Sequence, residues 1–125
     1  MMATAAAALL ILAAASTTPP EALECPASAG DPLVYIDIYD GAPENQADLV
    51  PDQHQDKANK TAWNTWQLDQ NPERIYVKCG YGSRLEGPYS RTEFIVLPET
   101  AKTCRADFKT GPKPTDLTLR KFSCR

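Results

Sequence analysis

The sequence predicts a mainly β fold, a small antiparallel sheet or sandwich-like domain with long polar loops, stapled by two disulfides. Three observations carry that expectation. Apolar and polar residues alternate at period two through several short segments; Pro and Gly punctuate the chain between them; and four cysteines, Cys25, Cys79, Cys104 and Cys124, stand behind an export-type N-terminus. With 125 residues the chain is sized for one core and one domain.

From Met1 to Ala15 no side chain is charged, and the run Ala5 to Leu12 leads into the small residues Ala13, Ala14 and Ala15. This reads as the apolar region of a secretory signal followed by an A-x-A cleavage pattern, so residues 1–15 are expected to be removed before Ser16. The apolar stretch is too short to span a bilayer, which needs about 20 residues. No stable membrane insertion is therefore expected after cleavage, and the destination is the periplasm or the exterior. Residues 16–32 contain Pro19, Pro20, Pro26, Pro32 and Gly30, which favour an extended leader over a helix. Residues 33–125 form the stapled domain.

Leu33 to Tyr39, LVYIDIY, is the clearest strand, with Val34, Ile36 and Ile38 on one face and Leu33, Tyr35, Asp37 and Tyr39 on the other. Asp40-Gly41 supplies a tight turn after it and Pro43 removes a ladder donor. Glu44 to Thr61 is polar and reads as a long surface connection, with room for a helical turn at Glu44 to Leu49 and no strand. Ala62 to Leu68 then precedes a turn at Asn71-Pro72-Glu73, and Ile75, Val77, Cys79 and Tyr81 follow on one face, so the two segments look like a hairpin. Arg91 to Leu97 gives another strand, ended by Pro98. Cys104, Ala106 and Phe108 alternate with Arg105, Asp107 and Lys109. In the last strand the apolar phase shifts between Leu117, Leu119 and Phe122, Cys124, which calls for a bulge near Arg120 or Lys121.

An even set of cysteines in a short exported chain implies two bridges, for which sequence alone permits three connectivities. The pairing expected is Cys79 with Cys104, joining neighbouring strands, and Cys25 with Cys124, fixing both termini. Zinc is not expected, because the chain has no C-x-x-C pair and a single histidine.

The net charge of -3 offers no electrostatic footprint for nucleic acid or anionic membrane. Its distribution is uneven. Between Ser16 and Asp56 there are only acids, whereas every Lys and Arg lies from Lys57 onward. On one sheet this makes complementary surface pairs; on one side of the molecule it makes a charged binding face. The sole histidine, His54, sits in a polar run between Asp52 and Asp56 with no Ser or Cys partner indicated, and reads as a solvated loop residue. Carboxylate pairs such as Asp37 with Asp40, or Glu44 with Asp48, are unavoidable among sixteen acids and do not by themselves announce acid–base chemistry. The run from Asp37 to Asp48 lacks EF-hand spacing. Asn59-Lys60-Thr61 fits the N-glycosylation pattern.

No catalytic residue, metal or cofactor is expected. A binding surface, if the chain has one, is expected to draw on Tyr39, Asp40, Glu44, Asp48, Asp52, Trp63 and Trp66. The reading is a non-enzymatic exported protein that binds or inhibits another protein of the envelope or of foreign origin. Two alternatives stand beside it: a glycan or small-ligand module using Trp63, Trp66 or Tyr39, and a small hydrolase using an acidic pair or His54.

Several landmarks occur in a fixed order. They are Cys25-Pro26, the block Tyr39-Asp40-Gly41-Ala42-Pro43-Glu44, Leu49 with Pro51-Asp52, Trp66, Cys79-Gly80-Tyr81, Leu97-Pro98, Cys104 and Cys124. This order resembles that of a family of small, uncharacterised periplasmic proteins of proteobacteria, first catalogued as a hypothetical protein in Salmonella. The resemblance spans nearly all of the mature chain, although the segment between Cys25 and the first strand is shorter here than in many members. It implies a periplasmic location and implies no activity.

Overall fold

Strand alternation gives a sheet one apolar face, and two such sheets bury those faces against each other. A computed structural model describes residues 19–57, 60–113 and 116–125. The signal peptide expected at residues 1–15 and the acceptor Asn59 lie outside the described residues. Seven strands occur among the described residues: β1 (Leu33–Asp40), β2 (Gln53–Lys57), β3 (Thr61–Gln67), β4 (Ile75–Gly82), β5 (Tyr89–Val96), β6 (Thr103–Thr110) and β7 (Leu117–Cys124). Sheet I has the order β1-β4-β5 and sheet II the order β2-β3-β6-β7, and every pairing is antiparallel. The fold is mainly β, with one short 3-10 turn, Pro43–Asn45, among the described residues.

The interior follows the alternation read from the sequence. Sheet I contributes Ile38, Ile75, Val77, Cys79, Tyr81 and Ile95, and sheet II contributes Ala62, Trp66, Cys104, Ala106, Phe108, Phe122 and Cys124. The bulge expected near Arg120 is present: Asp107 pairs with Lys121 and Phe108 with Leu119, so Arg120 is the extra residue that returns Leu119 to the core phase. The Asp40-Gly41 turn is also present. Gly41 adopts φ of 88°, a region open to glycine, and its N–H donates to the Arg74 carbonyl.

Three expectations are corrected. First, β3 and β4 are not a hairpin. The chain between them passes from sheet II to sheet I, because β4 is a central strand whose two edges are taken by β1 and β5. Second, the polar stretch from Glu44 to Thr61 contains a strand, β2. It lies at the edge of sheet II and pairs only with β3, so it carries no apolar alternation to reveal it.

Third, the disulfides are Cys25–Cys79 and Cys104–Cys124, not Cys79–Cys104 and Cys25–Cys124. Cys79 lies on β4 of sheet I and Cys104 on β6 of sheet II, so the two are not on neighbouring strands as expected. Cys104 and Cys124 stand directly opposite each other on β6 and β7, with Cα atoms 4.0 Å apart. Cys79 points from β4 toward Cys25 of the leader, with Cα atoms 6.0 Å apart.

Two connecting segments tie the sheets together. The leader meets an edge strand of each: the Val96 N–H donates to the Pro20 carbonyl, the Ala22 N–H to the Val96 carbonyl, and the Cys124 N–H to the Leu23 carbonyl. Its Pro26 carbonyl accepts the Tyr81 hydroxyl at 2.5 Å. On the other side, residues 47–49 pair with β1 through Asp40 N–H to Ala47 and Leu49 N–H to Ile38. The Trp66 indole of sheet II then donates to the Leu49 carbonyl at 3.2 Å.

Candidate functional site

Each sheet turns one face inward, so the polar and aromatic side chains in antiphase to the core form two outer faces. On sheet I the antiphase residues are Tyr35, Asp37 and Tyr39 of β1, Tyr76, Lys78 and Gly80 of β4, and Thr92 and Phe94 of β5. Four of the five tyrosines of the chain stand at this face; the fifth, Tyr81, is buried in the core. Gly80 permits the arrangement of two of them. A Cβ there would meet Tyr35 at 3.2 Å and Tyr89 at 3.3 Å, and in its absence the two rings stack with centroids 5.3 Å apart.

The acidic side of this face is built across the chain. The paired carboxylates are Asp37 and Asp48, joined when residues 47–49 pair alongside β1. Asp37 and Asp40 do not pair in that way, because they have opposite parity along β1 and face opposite sides. Partial burial raises the Asp37 pKa above the ordinary carboxylate value; the Tyr39 and Tyr35 hydroxyls oppose that rise and Asp48 adds to it. Tyr39 is in turn pushed up to about 12 by burial and by its hydrogen bond to Asp37. Tyr35 is also raised, by burial first and then by Asp37. A carboxylate is thus kept half-buried on an outer strand face among phenols.

Beyond Asp48 the segment is pinned on both sides. Leu49 packs against the core. Asp52 donates its N–H to the Thr65 carbonyl at 2.8 Å and accepts the Gln67 N–H at 2.6 Å. Between these anchors Val50 stands 83% exposed.

On sheet II the outer face carries Trp63, Arg105, Asp107, Lys109 and Lys121. The Arg105 guanidinium lies 4.9 Å from the centre of the Trp63 ring and 3.0 Å from an Asp107 carboxylate oxygen. This face is cationic, and its central arginine is already engaged.

The residues singled out in the sequence therefore divide. Tyr39 and Asp48 come together. Glu44 is exposed on the 3-10 turn beside Tyr76 and Phe94, lining a shallow hollow of about 300 Å³. Asp40 faces the interior side, with one oxygen buried and unpartnered, and Asp52 is a structural acceptor. Trp63 belongs to the other outer face. Trp66 is a core residue, 6% exposed and edge-on to Phe122. The sequence reading left out Asp37, Lys78 and Val50 from the surface; the antiphase position of Asp37 on β1 was the signal that could have found it.

His54 lies on β2, not in a loop. Its Nδ1 is 2.5 Å from the Asn64 side-chain oxygen and its Nε2 is 3.3 Å from Asp56. The bond to Asn64 raises its pKa above the ordinary value, slight burial opposes this, and Asp56 adds to it. A cleft of about 720 Å³ opens at the end of the sandwich between Ser83–Glu86 and the β6–β7 connection, and it shares Thr110, Gly111 and Leu117 with the hollow that His54 and Asp56 line.

A family model described as Type VI secretion system Tli immunity protein matches residues 26–125. No curated protein and no solved structure matches the chain.

Proposed function

We propose, from the premise that the chain belongs to the type VI secretion system Tli immunity protein family, that it is an exported, non-enzymatic protein that neutralises a type VI toxin by binding it in the periplasm. The observation that carries this reading is the extent of the match. It begins at Pro26, next to the leader cysteine, and runs to Arg125, so both sheets fall within the family's unit. An immunity protein acts by occupying another protein, and the chain offers two broad, chemically distinct faces on one rigid sandwich for that purpose. The periplasmic location is supported by the signal-like N-terminus and by two disulfides, which persist in oxidising compartments.

The test is survival. Cells lacking this gene are mixed with parental cells whose type VI secretion is active, and with parental cells whose secretion is disabled. Restoring the full chain is expected to rescue the deletion strain from the active attacker, whereas a version lacking residues 1–15 is expected not to. Equal killing with and without the full chain would remove the immunity reading. Rescue by the version lacking residues 1–15 would remove the periplasmic part alone.

A further inference from the structure

We propose that the outer face of sheet I, continued along residues 48–50, is the surface that captures the toxin, and that the toxin meets it with a cationic patch. This deepens the immunity reading and rests on it.

Charge supplies the first argument. The acids on this side are Asp37, Glu44 and Asp48, and Lys78, opposite Asp37 in the register, is the cation on its antiphase positions. The outer face of sheet II has the reverse balance, with Arg105, Lys109 and Lys121 against Asp107. An acidic face gains affinity and association rate from a cationic partner and is repelled by another acidic one.

The second argument is the kind of side chain presented. Tyrosine offers a large ring with few rotatable bonds and a polar tip, which makes it a frequent anchor of protein interfaces. Tyr35 and Tyr39 flank Asp37 on β1, and the Tyr35 ring is already held by stacking on Tyr89. Little side-chain freedom remains for a partner to remove.

Third is the apolar tip. Alternation places Asp48 and Val50 on the outer side and Leu49 on the core. Backbone bonds at Leu49 and Asp52 hold the segment, yet Val50 is 83% exposed. A valine fixed in water between two acids contributes nothing to folding, but gives a binding partner an apolar contact with no loop ordering to be done.

The face of sheet II makes the weaker candidate. Its Arg105 is bound to Asp107 and lies over Trp63, so a partner would have to displace contacts the chain already makes.

The survival assay above distinguishes these faces. The full chain carries either Glu44→Lys with Asp48→Lys, both at exposed positions, or Lys109→Glu with Lys121→Glu on the outer face of sheet II, and Val50→Lys is tested separately. Thermal unfolding of each purified variant checks that the fold is kept. The sheet I reversal is expected to lower survival roughly 10- to 100-fold, as loss of a central charged contact does. Val50→Lys is expected to act in the same direction, and the sheet II reversal to leave protection intact.

Protection that survives the sheet I reversal, or that is lost equally with the sheet II reversal, overturns the assignment. A wild-type chain that sediments as a dimer and is split by the sheet I reversal would make a second copy the occupant, and would also overturn it. If the wild-type chain itself gives no protection, the immunity reading fails and this proposal falls with it.

Discussion

The outer faces of the two sheets are made by the same rule, polar residues in antiphase to a shared core, yet they resolve their charges differently. On sheet II the central cation finds its counter-ion two residues along its own strand, Arg105 to Asp107, and a ring to lie over. On sheet I a second acid, Asp48, is brought against Asp37, and phenols rather than a cation supply the hydrogen bonds. On sheet II the central arginine is paired and the surplus charge is cationic; on sheet I the surplus is acid. Alternation decides which side chains go outside; strand neighbours decide whether their charge is compensated.

The comparison can be broken most forcefully on β3, which supplies one tryptophan to each side. Trp66→Ala is expected to cost about 3–5 kcal/mol by opening the core, whereas Trp63→Ala removes a surface ring and a cation–π contact for about 1 kcal/mol or less. Denaturant unfolding of the two variants measures both, and equal losses would mean that the inner and outer faces are misassigned.

Next in size are the staples. Replacing Cys25 and Cys79 by serine is expected to cost about 2–4 kcal/mol, and to exceed the loss from replacing Cys104 and Cys124 by about 1 kcal/mol, because a longer loop is released. The sequence separations are 54 and 20 residues. A larger loss from the shorter loop would show that β7 depends on its bridge more than the leader does.

A smaller effect, of opposite sign, is expected at Asp37. Its folded pKa is raised, so its most favourable contribution to stability is present below the unfolded value of about 4 and is lost as pH rises through the folded value. Asp37→Asn should therefore raise the melting temperature at neutral pH, and the gain should vanish in acid. Together with reduced protection, this would mark a residue kept for binding at some cost to stability. A variant less stable than wild type at neutral pH would show instead that the carboxylate supports the fold.

The smallest effect concerns His54 on sheet II. Its raised pKa gives stability that is present below the ordinary histidine value, about 6.5, and lost as pH rises through the folded value. The side chain is 49% exposed, so the contribution is small. NMR titration should give a midpoint above that of a free histidine, moved down in Asn64→Ala; a midpoint unchanged in that variant would remove Asn64 as the main cause.

Much of this architecture was legible residue by residue. Val77, Cys79 and Tyr81 alternate with polar or small residues and are all buried, and the phase break between Leu119 and Phe122 announced the bulge at Arg120. These features are local, set by the two-residue period of a strand and by what its inner face must exclude from water. The candidate face was legible only in fragments. Tyr39 and Asp48 stood out and Asp37 shares the Tyr39 face by strand parity, but the bridge that lays Asp48 beside them is a backbone pairing that no spacing rule encodes.

By itself, then, the sequence determined the mainly β class, the faces of its apolar strands and the number of staples, because each follows from short-range periodicity or composition. Only the tertiary structure decided that β3 and β4 lie in different sheets, that Gln53–Lys57 is a strand, and that Cys25 joins Cys79 while Cys104 joins Cys124. The physical reason is the same for all three. Which edge a strand occupies, and which sulfur lies within reach, depends on how two complete sheets bury their faces together, a choice made by the whole core and carried by no single segment.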